Sequence, residues 1–420
     1  MPPDDERAFF DPIRDAPADD GPRLIYADWL DEHGQPARAE FIRLQCALDR
    51  LADDDRRLPE VREHERLLAD AHKARWAADV ARMVTDWSFH KGVIDSVSVT
   101  AGQFLAHAEA LFHLAPVRKV RFLDAGEDLA TLVQSPLLRH VRELDLSNNA
   151  LGTVGPQLLA RSPHLGRLVT LDLGFSDLGD AGLKALADSP ALAGLRVLRL
   201  NDNPNLGPIG IRALAESAHL TDLVDVDLSG NGLTEPVLRP LFDGPLIRRL
   251  ARLALQGNRL GNEGTRDFVN SLVFTRMAER DAAVDLRRVQ MGPAGARALA
   301  ECTALAAVET LDLEGNVLGD GGLAALAASP YLTRLRVLGL RENRIGDDGV
   351  RALARSPVMA TLRVLDLTGN IITEESADRL HEASVEYDWR GLLQLKVDAQ
   401  LKTRLTGLGP LGGYFRRMQS

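Results

Sequence analysis

Apolar positions along this chain recur on a nearly constant beat between residues 144 and 370. Two apolar residues flank one variable residue, and an Asn commonly follows three positions later, as Leu-x-Leu-x-x-Asn. The nine pairs are Leu144/Leu146, Leu171/Leu173, Leu198/Leu200, Val226/Leu228, Leu253/Leu255, Val284/Leu286, Leu311/Leu313, Leu338/Leu340 and Leu365/Leu367. They return every 27 residues, except for a step of 28 before Val226 and one of 31 before Val284. A fixed period of this length signals stacked supersecondary units. Solenoids of that kind usually work as binding surfaces.

Within one unit the hydrophobic period changes. Leu168, Leu171 and Leu173 have the spacing of a short strand entered from a loop, and Leu183, Leu186 and Ala187 then take the i, i+3, i+4 spacing of a helix. Asp180, Asp320 and Asp347 stand where a helix N-cap accepts a backbone N–H. A Ser-Pro pair at Ser135, Ser162, Ser189, Ser329 and Ser356 closes the helix, because proline lacks the donor a continuing helix needs. Cys302 lies 27 residues before Ser329 and fills the same small-residue slot, which predicts a structural role. The Asn position holds Asn149, Asn203, Asn231, Asn258, Asn316, Asn343 and Asn370, with Ser176 a partial substitute and Val289 none. A buried amide there both donates and accepts, satisfying backbone groups where the chain leaves the strand.

This pattern resembles the leucine-rich repeats of the ribonuclease-inhibitor type, as in Leu338-Gly-Leu-Arg-Glu-Asn343-Arg-Ile-Gly-Asp-Asp-Gly-Val350-Arg-Ala-Leu353. The resemblance covers about 120–380. It implies an α/β fold: a right-handed horseshoe solenoid with parallel strands on the concave face and helices on the convex face. Two weaker units precede it, one with Val97 and Val99, the next with Val120 and Phe122, at steps of 23 and 24. Shorter steps suit atypical capping repeats. The solenoid is therefore placed at 91–380, with about eleven repeats. Residues 381–420, with Trp389, Leu392, Leu393 and Leu395, are expected to cover the last open repeat, and Tyr414-Phe-Arg-Arg-Met either joins that cover or trails from it.

Residues 1–90 lack the beat and read as a small all-helical domain. Leu24, Ile25 and Trp29 predict one apolar stripe; Phe41, Leu44, Leu48 and Leu51 a second; Val61, Leu67, Leu68 and Trp76 a third, starting after Pro59. The string Pro17-Ala-Asp-Asp-Gly-Pro-Arg23-Leu-Ile-Tyr26-Ala-Asp28-Trp29, continuing through Arg38-Ala-Glu40-Phe41, resembles the short repeat-companion domain that opens many bacterial leucine-rich-repeat proteins. Its charged residues Arg23, Asp28, Arg38 and Glu40 are expected to form internal ion pairs rather than a partner site.

Bulk properties narrow the function. The chain has 420 residues, a net charge of −10 and two cysteines. That balance argues against nucleic acid or anionic membrane as a partner through bulk electrostatics, though not against a local basic patch. Two cysteines make no disulfide framework. No apolar run reaches the ~18 residues of a membrane span, and the acidic start lacks signal-peptide regions. A reduced, cytoplasmic protein is expected. His64 and His72 lie eight apart, too far to chelate one ion unaided, and no zinc, EF-hand, phosphate-loop or nucleophile-elbow motif occurs. No cofactor, metal or catalytic residue is predicted.

Register singles out a surface instead. The residue between the two strand apolars points away from the core. That column reads Asp145, Asp172, Arg199, Asp227, Ala254, Asp285, Asp312, Gly339, Asp366, an acidic stripe. Two positions along, the column is polar and varied, and includes Arg287, Glu314 and Arg341. One unit is irregular: four extra residues lie between Asn258 and Val289, Asp281 fills a slot otherwise Leu or Val, and Thr265–Arg280 reads as a helix longer by one turn. The expected function is a non-enzymatic scaffold that binds a protein partner, with a basic surface, on the concave face. The alternative is a regulator of a small GTPase or other nucleotide-hydrolysing partner, which the resemblance implies because Ran GTPase-activating proteins share such repeats.

Overall fold

Each apolar pair opens as a three-residue strand. In Glu143–Asp145 the central Leu144 is buried and its neighbours are partly exposed, and Leu146 then returns to the core. The same holds at Thr170–Asp172 and Thr310–Asp312. The alternation places Leu on the core face and the intervening residue on the open face.

The computed structural model describes residues 4–52, 54–376, 378 and 392–399. The chain divides into two compact units. The first comprises Met1–Leu178, Ala185–Arg199 and Ala218–Asp222; the second comprises Gly179–Lys184, Leu200–Ser217 and Leu223–Ser420.

In the first unit the strands are β1 (Asp86–His90), β2 (Val93–Val99), β3 (Lys119–Phe122), β4 (Glu143–Asp145), β5 (Thr170–Asp172) and β6 (Val197–Arg199). From β2 to β6 successive strands pair in parallel, with Val97, Val120, Leu144, Leu171 and Leu198 in register. The weaker units at Val97 and Val120 are thus full members of the ladder. β1 was not expected. It pairs antiparallel with β2 through a two-residue turn at Lys91 and Gly92, both with positive φ (49° and 82°). Gly92 also has no room for a side chain, since a Cβ there would lie 2.4 Å from Ile42 Cα. Two left-handed residues in sequence are the geometry a tight hairpin requires.

Helices precede this sheet at Phe10–Asp15, Gly21–Glu32, Pro36–Arg50 and Leu58–Trp76. The expected stripe on the second of these is corrected. Ile25 is exposed, and the buried face is Arg23, Tyr26, Ala27 and Leu30. The third helix buries Ala39, Phe41, Ile42 and Cys46, with Leu44 and Leu48 at its margin. Tyr26, Ala27, Leu30, Ala39, Ile42 and Cys46 close one core with Phe10, Ile13 and Val93 of β2, so the helices and the first parallel strand share apolar packing. Residue 90, the expected domain boundary, lies at the tip of the β1–β2 hairpin. Three of the four charged residues are paired internally: Asp28 with Arg43 Nη2 at 2.6 Å, Arg38 with Glu6 at 3.4 Å, and Glu40 with His64 at 3.3 Å; Arg23 departs from the expectation, its Nη1 donating to the backbone carbonyl of Asp19.

In the second unit β7 (Asp225–Asp227) pairs in parallel with β8 (Arg252–Ala254). A separate parallel ladder runs from β9 (Ala283–Asp285) through β10 (Thr310–Asp312), β11 (Val337–Gly339) and β12 (Val364–Asp366) to β13 (Gln394–Lys396). β13 places Leu395 in register with Leu365, and Leu392 is buried. Trp389 and Tyr414 lie outside the described residues.

Three side-chain ladders lock successive repeats together. Asn316 Nδ2 donates to the carbonyls of Leu286 (2.8 Å) and Leu313 (2.9 Å), while its Oδ1 accepts from Val289 N (3.1 Å) and Met291 N (2.9 Å). Asn370 makes the equivalent four bonds, Asn149, Asn231 and Asn258 each donate to two such carbonyls and accept from a backbone N–H, and Ser176 Oγ reaches the carbonyls of Leu146 and Gly174. In the small-residue slot, Ser162, Ser189, Ser329 and Ser356 each donate at 2.6 Å to a helix-end carbonyl of the preceding repeat. Cys302 Sγ does the same to Val269 O at 3.3 Å. The third ladder corrects the expected caps: Asp180 and Asp320 do not cap their own helices. Asp180 accepts from Gly207 and Gly210 at the start of Pro208–Ala215, and Asp320 from Gly346 and Gly349 at the start of Asp347–Ala354. Asp347 likewise reaches forward, to Thr373 and Ser376.

Candidate functional site

The open face of the strands is built by the residue between each apolar pair. In the first unit register brings Asp145, Asp172 and Arg199 side by side. In the second, Asp227 pairs across to Ala254, and Asp285, Asp312, Gly339 and Asp366 form one row that Lys396 extends.

Every aspartate of the column makes the same local bond. Its Oδ1 accepts from the backbone N–H two residues on: Ser147 to Asp145 (2.8 Å), Gly174 to Asp172 (3.0 Å), Ser229 to Asp227 (2.9 Å), Arg287 to Asp285, Glu314 to Asp312 and Thr368 to Asp366 (each 3.1 Å). This Asx turn takes the chain off the strand. Asp therefore recurs partly for architecture.

For Asp145, Asp172, Asp285, Asp312 and Asp366 the other oxygen meets a cation. Oδ2 of Asp145 lies 3.5 Å from Arg121, of Asp172 3.8 Å from Arg199, of Asp366 3.4 Å from Lys396. Arg287 bridges Asp285 (2.7 Å) and Asp312 (3.6 Å). Glu314 pairs with Arg288 at 3.0 Å, and Arg341 with Glu342 at 3.0 Å. The expected acidic stripe is thus an acid-rich face with cations interleaved. Burial pushes the Asp312 carboxyl above its ordinary pKa, against the pull of Arg287.

A second row lies at the turn after each strand. Asn148, Phe175, Asp202, Gly230, Gly257, Arg288, Gly315, Glu342 and Gly369 all have φ between 53° and 74°. Glycine and Asn or Asp accept this conformation readily, whereas Phe175, Arg288 and Glu342 do so at a cost. Phe175 is also 55% exposed. Phe175 is thus a strained, exposed aromatic at the turn after β5 that sequence reading passed over. Its signal was a Phe where the equivalent turns hold Gly or a polar residue.

The irregular unit departs from its expected form. One longer helix over Thr265–Arg280 is replaced by two, Gly261–Val269 and Leu272–Asp281, separated at Asn270 and Ser271, where Ser271 Oγ caps the second. That helix presses against the edge of β8. Met277 Sδ takes the hydrogen bond of Leu253 N at 3.4 Å, and Arg276 Nη1 binds the carbonyls of Arg248 (2.8 Å) and Leu250 (2.7 Å). Among the described residues β8 and β9 do not pair, and a cleft of about 380 Å³ opens there, lined by Arg252, Gln256, Asp281, Asp285 and Asp312. Arg280 holds Asp281 ionised by a hydrogen bond at 2.8 Å, lowering its pKa. Among the described residues no group of His, Cys, Asp and Glu is disposed to hold a metal ion, and no helix is long and apolar enough to cross a membrane.

Residues 138–160, 168–187, 308–327 and 331–354 match the family described as leucine-rich repeat. These segments carry leucine-rich repeats, and parallel strands pair in register around them as a repeat solenoid requires. Among solved structures it is similar to an internalin from Listeria monocytogenes (17% identity, TM-score 0.40, covering 69% of this chain and 78% of that one). It is also similar to the yeast Rad7 and Elc1 complex (14%, TM-score 0.40, 85% and 91%) and to human 5T4 trophoblast glycoprotein (23%, TM-score 0.35, 52% and 77%). No curated protein sequence matches the chain.

Proposed function

We propose that the protein is a non-enzymatic scaffold that captures a protein partner on the open face of its strands, the face expected to be concave. The observation that supports this is the outward Oδ2 row. Asp145, Asp172, Asp312 and Asp366 each commit one oxygen to the backbone and present the other on a partly exposed surface, where a cation meets it at 3.4–3.8 Å, while Asp285 holds Arg287 through both oxygens. Exposed pairs of this kind contribute little to stability, about 0–1 kcal/mol each. Basic groups of a partner can therefore take the place of Arg199 or Lys396 at small cost, and charge complementarity then sets register and association rate. Asp227, Glu314 and Arg341 complete the surface.

The test uses the full chain, because Val93 shares its core with the helices. Asp227→Asn, Asp285→Asn and Asp312→Asn together remove three charges but leave an oxygen to accept the turn N–H. Quantitative pull-down from lysate is expected to lose partner at unchanged melting temperature. Capture equal to that of the parent chain would rule out the acidic face as the binding surface. Lysine at these positions is a poorer probe, since it removes the Asx-turn acceptor as well.

A further inference from the structure

We propose that the seam between β8 and β9 is a two-state device. It stands parted in this structure, and it closes by zipping the two strands together, which removes the cleft between them. Neither state depends on the open face being the binding surface.

At the neighbouring seams each repeat hands its main chain to the next. Leu228 N donates to Ala254 O at 3.0 Å, Leu286 N to Asp312 O at 2.9 Å and Leu313 N to Gly339 O at 2.8 Å. Val224 O accepts from both Ala251 N and Arg252 N. Leu255 N and Ala251 O hold the equivalent positions beside β8. Among the described residues Leu255 N has no partner, and Ala251 O accepts nothing from the next repeat. Yet the far end of the same seam is closed, with Gly257 N donating to Arg287 O at 2.9 Å and Gly261 N to Val289 O at 3.0 Å. The near end is held apart by the helix Leu272–Asp281. Met277 Sδ takes the hydrogen bond of Leu253 N, and Arg276 binds the carbonyls of Arg248 and Leu250. Ala282 turns its N–H back to Ala278 O at 3.2 Å and adopts a φ of 50°, whereas Glu309, its equivalent one repeat on, donates forward to Ala282 O at 2.7 Å.

Each of these holds is weak or strained. A thioether is a poor acceptor for an N–H. Alanine at positive φ sits in a sparsely populated conformation. Leu255 is buried, and a buried N–H without a partner costs about as much as a lost hydrogen bond. Closing the seam gives Leu255 N and Ala251 O their main-chain partners and returns Ala282 to extended backbone. Parting it keeps the Arg276 bonds and the packing of the helix. Opposed interactions of this kind make a packed element bistable rather than rigid. The closed far end already fixes the register, so zipping needs no slip of one strand past the other. The cleft of about 380 Å³ is walled by Ala254, Asp285 and Asp312. Closing sets Ala254 beside Asp285, as Asp227 already stands beside Ala254, and joins two separate rows of the open face into one.

Residue-resolved amide hydrogen exchange on the full chain reads the seam. Leu255 is expected to exchange about tenfold or more faster than Leu228 and Leu286, which hold the same position in closed seams. The ratio within one chain is what counts, because a general loss of stability speeds all these amides together. Ala282→Gly removes the strain of positive φ and keeps the seam parted, so the ratio stays high or rises. Ala282→Val supplies the residue found at Val169 and Val224, disfavours positive φ and closes the seam, lowering the ratio about tenfold. Met277→Ala withdraws the sulfur by a separate route and lowers the ratio as well, which guards against a local misfold at residue 282. Leu255 as well protected as Leu228 and Leu286 in the parent chain overturns the parted seam. A ratio that neither Ala282→Val nor Met277→Ala lowers overturns its capacity to close.

Discussion

Asp180 caps a helix that begins in the next repeat: its Oδ1 lies 2.8 Å from both Gly207 N and Gly210 N. The carboxylate approaches closely because Gly210 has no side chain; a Cβ there would stand 2.8 Å from the same oxygen. Stability in a repeat array is largely the sum of neighbour interfaces, and this cap is one of them. Asp180→Ala is expected to cost about 1 kcal/mol. Gly210→Ala should also destabilise, by displacing the carboxylate, and the double variant should cost less than the two losses added together. Urea denaturation of the four chains measures the coupling, and strict additivity would sink the forward cap.

Asn316 offers a larger effect. Its amide serves four main-chain groups, two carbonyls and two N–H groups, all through buried bonds. Leaving several of these unmet makes Asn316→Ala cost about 2–4 kcal/mol. Asn316→Asp should be at least as damaging, because a carboxylate cannot donate to Leu286 O or Leu313 O. A midpoint in urea that barely moves for either variant would contradict the ladder.

How much of this was legible beforehand follows from what a period can encode. The strand leucines, the Asn ladder and the Cys302 slot repeat in register, so the function of each is read by comparison with its equivalents. Direction is not encoded. Asp180 sits at the start of its own helix in the sequence, and only the stacking of coils shows that it points to the next one. The Asx turns were hidden for a related reason: Asp145 and its equivalents looked like surface choices because the bond they make is to backbone. Where the beat lapses, pattern loses its hold. The break at Ser271 and the wedge of Met277 against β8 depend on packing, and so does the choice of Arg23 over Ile25 for the buried face. The pair of Asp15 with Arg142 joins residues more than 100 positions apart, with no spacing to reveal it.

Cys302 tests whether the small-residue slot is purely architectural. Its thiol, pushed up by burial, donates to Val269 O, whereas serine in equivalent slots makes a 2.6 Å bond. Cys302→Ser should therefore change stability by no more than about 0.5 kcal/mol, in either direction. Alkylation of Cys302 at neutral pH should be slow, since little thiolate is present. Rapid modification at pH 7 would instead identify a reactive thiol.

His140 gives the first unit a pH dependence of definite sign. Its folded pKa of about 4 lies below the ordinary 6.5, so between these values the unfolded chain takes up a proton that the folded chain refuses. Stability is fully present above pH 6.5, declines as pH falls toward 4, and is unaffected by this group below that. Asp11 and Asp15, whose carboxyls are held low by their arginine partners, act only below 3.8, so the windows separate. Between pH 7 and pH 5 the loss due to His140 should be about 1–2 kcal/mol, because solvent screening trims the full linkage value. His140→Gln should remove that share of the slope, leaving the smaller part due to His90, which burial also holds low. Urea midpoints at the two pH values decide the matter: an equal slope in both chains would mean that His140 is not held neutral beside Arg14.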